Sequence, residues 1–572
     1  MKKLLKYFSD YKKEVVLGPA FKLFEALFEL FVPFVVAYII DIAIKHSDKK
    51  SAVILSVALA LLGIIGFIFS VTAQYFAAKA SVGFASKLRS ALFSHIQSFS
   101  FEQLDRLGTP TLLTRMTSDV NQIQTGVNLS LRLLLRSPFV VFGSAIMALV
   151  ISPRISLIFL GVIVALSIVV FGIMLVTMPM HKSVQSKLDG LTLASKETLV
   201  GVRVIRAFCK EKSESEAFDV MNESFVSAQK RMAGISSLTG PVTQVIVNLG
   251  IILLVHKGAI SVNVGLLTQG SLIALYNYMS QILVELVKLA NLIVTISKSL
   301  ACASRISNVL DIHPENTQGN ETLSCDGASI RFENVSFKYD GASEYSISGV
   351  SFKAEAGQTI GILGGTGDGK STLVNLIPRF YNATDGRVLV NGIDVQELSP
   401  ESLRDFVGFV FQRATLFSGT VRDNLTLGSP NATDDELLEA LKIAQAYDFI
   451  MEKGGLDAIV EQEGRNFSGG QKQRLTIARA LAKKPKILIF DDSSSALDYL
   501  TESKLRKALS TLPYSATRFI VSQRASSVMM ADLIVVLEDG EAVGCGNHTE
   551  LMKSCDTYRE IYESQFGKEE SK

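Results

Sequence analysis

Long apolar stretches dominate the first half of the chain, at residues 15–44, 52–78, 133–151, 155–178, 238–256 and 271–297. Each is long enough to supply the ~20 residues that a membrane-spanning helix needs. No comparable stretch follows residue 310. The first stretch carries Pro33 and acidic residues, and it is too long for a cleaved signal peptide. The pattern therefore predicts an all-α transmembrane domain of six helices over residues 1–310.

The segments between these stretches differ greatly in length. Short loops are predicted at residues 45–51, 152–154 and 257–270, and long ones at 79–132 and 179–237. Residues 1–14, 79–131 and 179–236 together hold 19 Lys and Arg residues, against 5 in the short loops, three of which are lysines in 45–51. Because Lys and Arg prefer the cytoplasmic side, the long loops and both termini are predicted to be cytoplasmic. Apolar residues recur at helical spacing through 191–208, so the helices are expected to continue past the bilayer.

The second half of the chain has a different pattern. Residues 311–326 are polar, with Pro, Gly and Asn, and are interpreted as a linker. From Ile330 onward short β-rich runs alternate with helical ones, which predicts a soluble α/β domain over residues 327–572. The formal net charge of +2 gives no electrostatic support for nucleic acid as a partner. Five scattered cysteines without a C-x-x-C pair indicate neither a disulfide framework nor a zinc site.

The first motif in the α/β half is a phosphate-binding loop. Residues 360–371, IGILGGTGDGKS, match G-x-x-x-x-G-K-S between an apolar strand and a helix. In such a loop backbone N–H groups wrap phosphates, Lys370 supplies a positive charge, and the Ser371 hydroxyl can bind Mg²⁺. Asp491, after the apolar run ILIF, can hold the same ion. The nucleotide-binding residues predicted here are Gly364, Gly365, Thr366, Gly367, Asp368, Gly369, Lys370, Ser371 and Thr372.

A third motif lies between the loop and Asp491. Residues 467–471 read FSGGQ and precede a helical stretch, and SALD follows at 495–498. Ser468 lies 97 residues after Ser371, and Gln471 lies 20 residues before Asp491. With these motifs in this order, the chain resembles the ABC transporter superfamily over nearly its whole length. The resemblance is to an exporter half-transporter, and it implies an all-α six-helix transmembrane domain with long cytoplasmic extensions, followed by an α/β P-loop ABC nucleotide-binding domain.

The resemblance implies further roles for residues of this chain. Tyr339, 25 residues before Gly364, resembles the aromatic residue that stacks on adenine, and Gln412 resembles the glutamine that reaches the metal. ATP and Mg²⁺ are therefore expected, with Ser371, Gln412 and Asp491 as the metal ligands. Segments near 109–117 and 208–216 resemble the coupling helices that dock on nucleotide-binding domains. The family's ATP sites form between two head-to-tail domains, and the residues implied to contact ATP across that interface are Ser468, Gly469, Gly470, Gln471 and Asp498.

Two positions depart from the family pattern where hydrolysis takes place. Asp492 replaces a glutamate that positions or deprotonates the attacking water, and its shorter side chain withdraws the carboxylate by about one ångström. Gln523 replaces a histidine, and a neutral amide carries no positive charge toward the γ-phosphate. Asp368 adds a negative charge beside the phosphates unless it points to solvent. Since the signature is intact, the chain resembles the degenerate subunit of a bacterial heterodimeric exporter, paired with a second half-transporter chain.

Acidic residues within the apolar stretches bear on the cargo. Glu25, Glu29 and Glu285 favour a cationic amphipathic molecule if they line a cavity. Alternatively, Lys22 with Glu25 and Lys288 with Glu285 are i,i+3 pairs that neutralise each other locally. The hypothesis is an ATP-driven exporter of hydrophobic or amphipathic drugs or lipids in a bacterial cell membrane, with a slow ATPase site of its own. Two alternatives remain, a slow homodimer with Asp492 as base and an ATP-gated channel or sensor without net pumping.

Overall fold

The computed structural model of the protein describes residues 2–314, 319–323 and 327–567. They form two compact units. The first runs to Gln97 and resumes from Pro110 to Ile312, and the second comprises Ser98–Thr109 with the chain from His313 onward. A short segment that the sequence placed in the membrane half thus belongs with the C-terminal unit. The predicted boundaries at 310 and 326 stay a prediction, because residues 315–318 and 324–326 of the linker lie outside the described residues.

The prediction of six membrane-spanning helices is confirmed within the described part of the chain. The helices long and apolar enough to span a bilayer are Lys3–Ile44, Lys49–Gln97, Thr109–Ile151, Pro153–Val200, Glu211–Asn263 and Gln269–Leu310. They contain 42 to 53 residues, about twice the ~20 that a hydrocarbon core requires. The excess length confirms that the helices continue well beyond the bilayer.

Local sequence explains where these long helices are interrupted. The chain opens with a 3₁₀ helix, Lys2–Tyr11. The third span breaks at Leu134 and Leu135, one turn before Pro138, whose missing N–H and ring disrupt the preceding turn. The fourth span begins at Pro153, the first helical position, where the absent N–H costs nothing. The helices up to residue 310 are α1 Lys12–Tyr38, α2 Lys49–Gln97, α3 Phe101–Leu107, α4 Thr109–Thr114, α5 Val120–Leu133, α6 Arg136–Ile151, α7 Pro153–Val200, α8 Val202–Ala207, α9 Glu211–Ser237, α10 Thr239–Asn263 and α11 Gln269–Leu310.

The second unit is built on sheets, as the β-rich runs of the sequence predict. Its strands are β1 Ile330–Phe337, β2 Ile347–Ala354, β3 Thr359–Gly364, β4 Asp385–Val390, β5 Ile393–Asp394, β6 Val407–Val410, β7 Gly419–Thr420, β8 Ile459–Val460, β9 Ile487–Asp491, β10 Thr517–Ser522, β11 Leu533–Glu538 and β12 Glu541–Gly546. The larger sheet has the order β12-β11-β3-β10-β9-β6 and is parallel except at β12. A second sheet, β2-β1-β4-β5, is antiparallel, and β7 pairs with β8. Every residue of β9 is buried, as expected for a strand in the middle of a covered parallel sheet.

Helices surround these sheets and complete the α/β fold. They are α12 Lys370–Asn375, α13 Pro400–Phe406, α14 Val421–Thr426, α15 Asp434–Ile443, α16 Tyr447–Glu452, α17 Gly469–Ala482, α18 Tyr499–Ser510, α19 Ala525–Val528, α20 His548–Ser554 and α21 Asp556–Phe566. Several begin at a side-chain cap, which satisfies N–H groups that the first turn leaves unpaired. The predicted fold class is therefore confirmed in both halves.

A buried ion-pair network joins three spans of the first unit. The Arg136 guanidinium, at the start of α6, donates to Glu285 on α11 (2.6 Å) and to Glu29 on α1 (2.5 Å). Ser137 donates to the other carboxylate oxygen of Glu285 at 2.7 Å, and Lys288 donates to Glu285 at 2.8 Å. Since a charge is costly in an apolar interior, this pairing is what allows Glu285 to lie there.

The network bears on the two interpretations of the acidic residues in the spans. Both predicted i,i+3 pairs are present, Lys22 with Glu25 and Lys288 with Glu285. The sequence did not predict Arg136, which contacts Glu285 across 149 residues of chain. Glu285 is thus neutralised by neighbours, whereas Glu29 keeps 39% of its side chain exposed.

We expect Arg136→Gln to lower the thermal unfolding midpoint of the detergent-solubilised protein, because Glu285 loses its buried cation and keeps Ser137 and the more exposed Lys288. Breaking a fully buried ion pair costs about 3–5 kcal/mol, and the contacts that remain reduce this loss. The double variant Arg136→Gln, Glu285→Gln should recover part of that loss, since both charges are then removed. Lys288→Gln is the matched control, because its side chain is 44% exposed whereas that of Arg136 is buried. Equal destabilisation by Lys288→Gln and Arg136→Gln would contradict the central place given to Arg136.

Candidate functional site

Four neighbouring parallel strands end at one edge of the larger sheet, and the candidate site lies there. The phosphate-binding loop follows β3, Gln523 follows β10 directly, Asp492 follows β9, and Gln412 lies two residues beyond β6. Ligands of open α/β sheets bind outside the carboxyl ends of the strands. The topology therefore brings together motifs that are up to 159 residues apart in the chain.

The loop between β3 and α12 has the conformation that a phosphate-binding loop needs. Gly367 and Gly369 have φ values of +102° and +83°, which side chains other than glycine rarely adopt. A Cβ at Gly369 would also lie 2.3 Å from the carbonyl oxygen of Ser346. The Lys370 ammonium folds back onto the carbonyl oxygen of Gly365. Burial lowers the pKa of Lys370, and the carboxylates of Asp368, Asp492 and Asp491 oppose that shift.

A pocket of about 320 Å³ opens above this loop. Ten of the predicted site residues line it, namely Tyr339, Thr366, Gly367, Gly369, Lys370, Ser371, Thr372, Gln412, Asp492 and Gln523. The Tyr339 hydroxyl lies 3.1 Å from Thr372 Oγ1, which fixes the ring at the rim. Ser346 and Val521 line the pocket too, and no motif in the sequence pointed to them.

Two hydrogen bonds hold the acidic residues at the pocket, which Asp492 lines and the buried Asp491 does not. Ser371 Oγ donates to Asp491 Oδ1 at 2.7 Å, and Gln412 Nε2 donates to Asp492 Oδ2 at 3.3 Å. Asp491 is buried, and this burial, with the neighbouring charge of Asp492, raises its pKa. Burial also raises the pKa of Asp492, against the hydrogen bond from Gln412 and the charge of Lys370. Two adjacent carboxylates with raised pKa values are electrostatically prepared for a cation.

The donor set fits Mg²⁺. Magnesium prefers oxygen ligands and is usually held by one or two carboxylates together with waters and substrate phosphates. Asp491 and Ser371 supply a carboxylate and a hydroxyl in contact with each other, and the Gln412 amide lies at the same edge. The described residues contain no group of three or more His, Cys, Asp or Glu side chains that could hold a metal by themselves.

The two departures from the family pattern both face this pocket. Asp492 has a φ of +42°, a strained backbone conformation for a residue with a side chain. The Gln523 amide oxygen accepts a hydrogen bond from Thr366 Oγ1 at 3.4 Å. Its backbone carbonyl accepts from Gln565 Nε2 at 2.8 Å, and the Ala525 N–H donates to Gln565 Oε1 at 2.8 Å. Helix α21 therefore positions the Gln523 loop, a contact that the sequence did not predict.

Three predicted loop residues do not line the pocket. Gly364 ends β3, and Gly365 follows it. Asp368 turns its carboxylate back onto the N–H of Gly365 instead of out to solvent. The carboxylate thus occupies a backbone donor of the phosphate-binding loop.

The signature residues Ser468–Gln471 lie outside the pocket. Ser468 caps α17 and forms a reciprocal capping box with Gln471. A Cβ at Gly470 would lie 3.0 Å from the carbonyl oxygen of Ala496, so this glycine permits a close backbone approach. At Gly469, in contrast, a Cβ would meet nothing within 4 Å.

Asp498 also has a structural place of its own. It caps α18, accepting from the Thr501 N–H at 2.9 Å and from Thr501 Oγ1 at 2.7 Å. These contacts account for an aspartate at this position without any ligand. A role of Asp498 toward nucleotide stays a prediction.

Helix α3 lies just before the first predicted coupling segment, residues 109–117, and groups with the C-terminal unit. The docking of residues 109–117 on a nucleotide-binding domain stays a prediction. Phe101 stacks on Phe380 with 4.5 Å between ring centroids, and Tyr381 Oη donates to Asp105 at 2.5 Å. Burial, followed by the Asp105 contact, raises the pKa of Tyr381. A capping box formed by Ser100 and Gln103 starts this helix, and that local signal was overlooked in the sequence.

The second predicted coupling segment, residues 208–216, spans the turn between α8 and α9. Phe208 at this turn is 71% exposed. Its proposed docking on a nucleotide-binding domain stays a prediction.

We expect Asp368→Ser to raise the affinity for a fluorescent ATP analogue about fivefold, because it removes a like charge worth about 1 kcal/mol and frees the Gly365 N–H. Equilibrium titration of the purified protein measures this change. Asp405→Ser removes the same charge from an exposed position, 82% accessible, and should leave the affinity unaltered. Unchanged or weaker binding by Asp368→Ser would show that the carboxylate does not compete with phosphate.

Comparisons with known proteins agree with this geometry. Residues 15–286 match the family described as "ABC transporter transmembrane region", and residues 347–495 match "ABC transporter". The chain is 35% identical over 572 residues to the uncharacterized ABC transporter ATP-binding protein YfiB of Bacillus subtilis (strain 168), with 100% of both chains covered. It is 32% identical over 493 residues to the ATP-dependent lipid A-core flippase of Syntrophus aciditrophicus (strain SB), covering 84% of this chain and 80% of the flippase.

A solved structure shares the complete fold. The structure of a bacterial Atm1-family ABC exporter with ATP bound superposes with a TM-score of 0.83 at 24% identity, covering 98% of this chain and 100% of that one. The motif order, the six long apolar helices and the relatives together show the family. The chain belongs to the ABC transporters as an exporter half-transporter, a multi-pass membrane protein whose spans are fused to a cytoplasmic ATP-binding domain.

Proposed function

We propose that the chain is one subunit of a heterodimeric ABC exporter, whose own ATP site hydrolyses slowly and whose signature helix completes the site of a partner half-transporter. One observation carries the proposal. Asp492 and Gln523 both line the pocket above the phosphate-binding loop, whereas the signature residues 468–471 lie outside it. The weakened and the intact parts of the chain would therefore serve two different sites.

The residues of the pocket divide the work of holding ATP and Mg²⁺. Tyr339 at the rim offers its ring to the adenine, and Lys370 with the loop N–H groups holds the phosphates. Ser371, Gln412 and Asp491 would hold the metal, which neutralises charge on the phosphate oxygens when bound. The chain thus retains the principal side chains and backbone groups for binding ATP and Mg²⁺.

The site lacks two side chains that the family uses for hydrolysis, a glutamate at position 492 and a histidine at position 523. The attacking water needs a carboxylate at the correct distance, and a displacement of about 1 Å can cost on the order of a hundredfold in rate. The Asp492 carboxylate is short for that position and is drawn toward Gln412. Gln523 presents its amide oxygen to Thr366 and has no charge to place near the γ-phosphate. The site is accordingly better suited to hold ATP than to cleave it.

The surface at Gly469 supports a role for the signature toward another chain. A Cβ there would meet nothing within 4 Å, and Gly469 does not have a positive φ, so packing within the chain gives no reason for a glycine. It is the first residue of α17, and the N-terminus of a helix favours an anion. A phosphate presented by a second domain fits that surface.

The docking helix α3 gives the ATP-binding domain a covalent link to the spans. It belongs to the C-terminal unit through Phe101 and Asp105, and α2 ends only four residues before Phe101. Closure of two ATP-binding domains can therefore move α2 directly. We infer that transport proceeds by alternating access, with hydrolysis at the partner's site resetting the cycle.

The cargo is proposed to be a hydrophobic or amphipathic compound, a drug or a lipid. The similarity to a lipid A-core flippase supports a lipid-like cargo. Of the acidic residues in the spans, Glu285 is held by Arg136, Ser137 and Lys288, whereas Glu29 remains 39% exposed. Glu29 is thus the acidic group most able to bind a cationic part of the cargo.

We expect Gly469→Asp to reduce the ATPase rate of the complex purified from native membranes by roughly a hundredfold, because a carboxylate would repel the phosphate that this surface holds. The open space at this position means that the fold tolerates the side chain. Lys370→Ala, which disables the chain's own site, should cost far less. Phosphate release measured on both variants gives the comparison.

Each alternative predicts another pattern. A slow homodimer loses activity equally in both variants and contains a single type of chain by mass spectrometry. A channel or sensor shows no uphill, ATP-dependent accumulation of a dye in inverted vesicles. Either result would refute the heterodimeric exporter.

Asp492→Glu combined with Gln523→His should raise hydrolysis at this chain's own site by about tenfold or more, since it restores the reach of the carboxylate and a group able to carry charge. The measurement is the ATPase rate of a complex whose signature site is blocked by Gly469→Asp. The conservative change Asp492→Asn with Gln523→His serves as the control without a base. No increase would show that another feature, such as Asp368, limits the site.

A further inference from the structure

A second cavity is lined by residues 4–303, whereas residues 339–523 line the nucleotide pocket, and most of its lining side chains are apolar. It measures about 630 Å³, within the range of small-molecule sites, and we call it the N-terminal cavity. Five elements enclose it, namely the helix Lys2–Tyr11, the start of α1, and parts of α2, α5 and α11. Its lining residues are Leu4, Leu5, Lys6, Phe8, Ser9, Lys12, Val15, Phe84, Ile123, Gly126, Val127, Ser130, Leu131, Ile296, Ser299, Leu300 and Ala303.

The walls of the N-terminal cavity are apolar in effect. Ser299, in its floor, donates to the carbonyl oxygens of Gln122 (2.8 Å) and Thr295 (2.9 Å), so its hydroxyl is already satisfied. A Cβ at Gly126 would lie 2.0 Å from Ser299 Oγ, which shows how closely α5 and α11 approach there. Most of the other lining side chains are apolar, and such a cavity favours a hydrocarbon chain.

The cavity lies where the spans leave the bilayer on the cytoplasmic side. Val15 is the first residue of the first apolar stretch, and Ile296 is next to the last residue of the sixth. Leu131 precedes the third stretch by two residues, and Phe84 follows the second by six. The N-terminal segment lies on the lysine-rich side, which is the cytoplasmic one. The cavity is therefore beside the headgroups of the inner leaflet.

Its rim carries positive charge without a partner. The acidic groups nearby are already paired, Asp10 with Lys87, Glu14 with Lys79 at 2.9 Å and Asp311 with Lys3 at 2.7 Å.

Lys6 and Lys12 differ from these lysines. Among the residues that the structure describes, no carboxylate lies within 4 Å of either ammonium group, and Lys6 rests only over the Tyr7 ring at 5.0 Å. Two exposed, uncompensated ammonium groups at the mouth of an apolar cavity are complementary to an anionic headgroup on a hydrocarbon chain.

We propose that the N-terminal cavity binds an anionic phospholipid of the cytoplasmic leaflet, with an acyl chain inside and the phosphate between Lys6 and Lys12. The site is separate from the nucleotide pocket and from Glu29, so it needs neither the heterodimer nor the slow ATP site. Bound there, the lipid would fasten the helix Lys2–Tyr11 to α5 and α11. It is a resident ligand of the fold, distinct from transported cargo.

The test compares two lipids with identical acyl chains, phosphatidylglycerol and phosphatidylcholine, added to the delipidated, full-length transporter and counted by native mass spectrometry. The wild-type protein should retain phosphatidylglycerol in preference to phosphatidylcholine. The single variants Lys6→Gln and Lys12→Gln should each weaken phosphatidylglycerol binding about fivefold. Lys13→Gln with Lys45→Gln is the matched control, because it removes two exposed lysines that do not line the cavity. The control should bind as wild type does.

Two further variants address the cavity itself. Leu300→Trp fills it from a wall position that is 43% exposed, and it should abolish the site for both lipids. A photo-crosslinking residue at position 300 should label lipid. Equal retention of phosphatidylglycerol by all variants overturns the proposal, and so does crosslinking of position 300 to a second polypeptide. The exposed lysine variants keep the test valid if Leu300→Trp fails to fold.

Discussion

The rest of this structure depends on one constraint, that a backbone within lipid must satisfy its own hydrogen bonds. The first half of the chain meets this constraint with six helices of 42 to 53 residues. Chemistry that needs loops and strand ends must then lie outside the bilayer, and the carboxyl edge of the large sheet supplies it. In the proposed transport cycle, the short link from α2 to α3 would carry a change at that edge to the spans.

Much of the fold could be predicted because its signals are local. Hydropathy finds the spans since each must be continuous, and glycines, lysine and serine in a strand-to-helix context find the phosphate-binding loop. The ion pair of Arg136 was not predicted because its partner, Glu285, is 149 residues away, and only the packing of α6 on α11 reveals the pair. Helix α3 was not predicted either, although the capping box of Ser100 and Gln103 marks its start.

In the candidate site, too, residues marked by local motifs could be predicted, whereas residues brought close by tertiary packing could not. Asp492 and Gln523 are visible as departures from a motif, and the sheet brings both to one pocket. Ser346 and Gln565 approach that site from distant parts of the chain, so no spacing rule could include them. The direction of the Asp368 side chain depends on the backbone torsions of the loop, which composition does not encode. Sequence therefore predicts which residues act more reliably than which residues hold them in place.

The separation between the nucleotide pocket and the signature helix has an evolutionary consequence. The two share no lining side chain, and the signature is stabilised by its own capping box and by the close approach of Gly470 to Ala496. Mutations that erode one leave the other's geometry intact. After a gene duplication, each copy can then lose a different half of its duties, and two such copies become dependent on each other without any new contact having to arise.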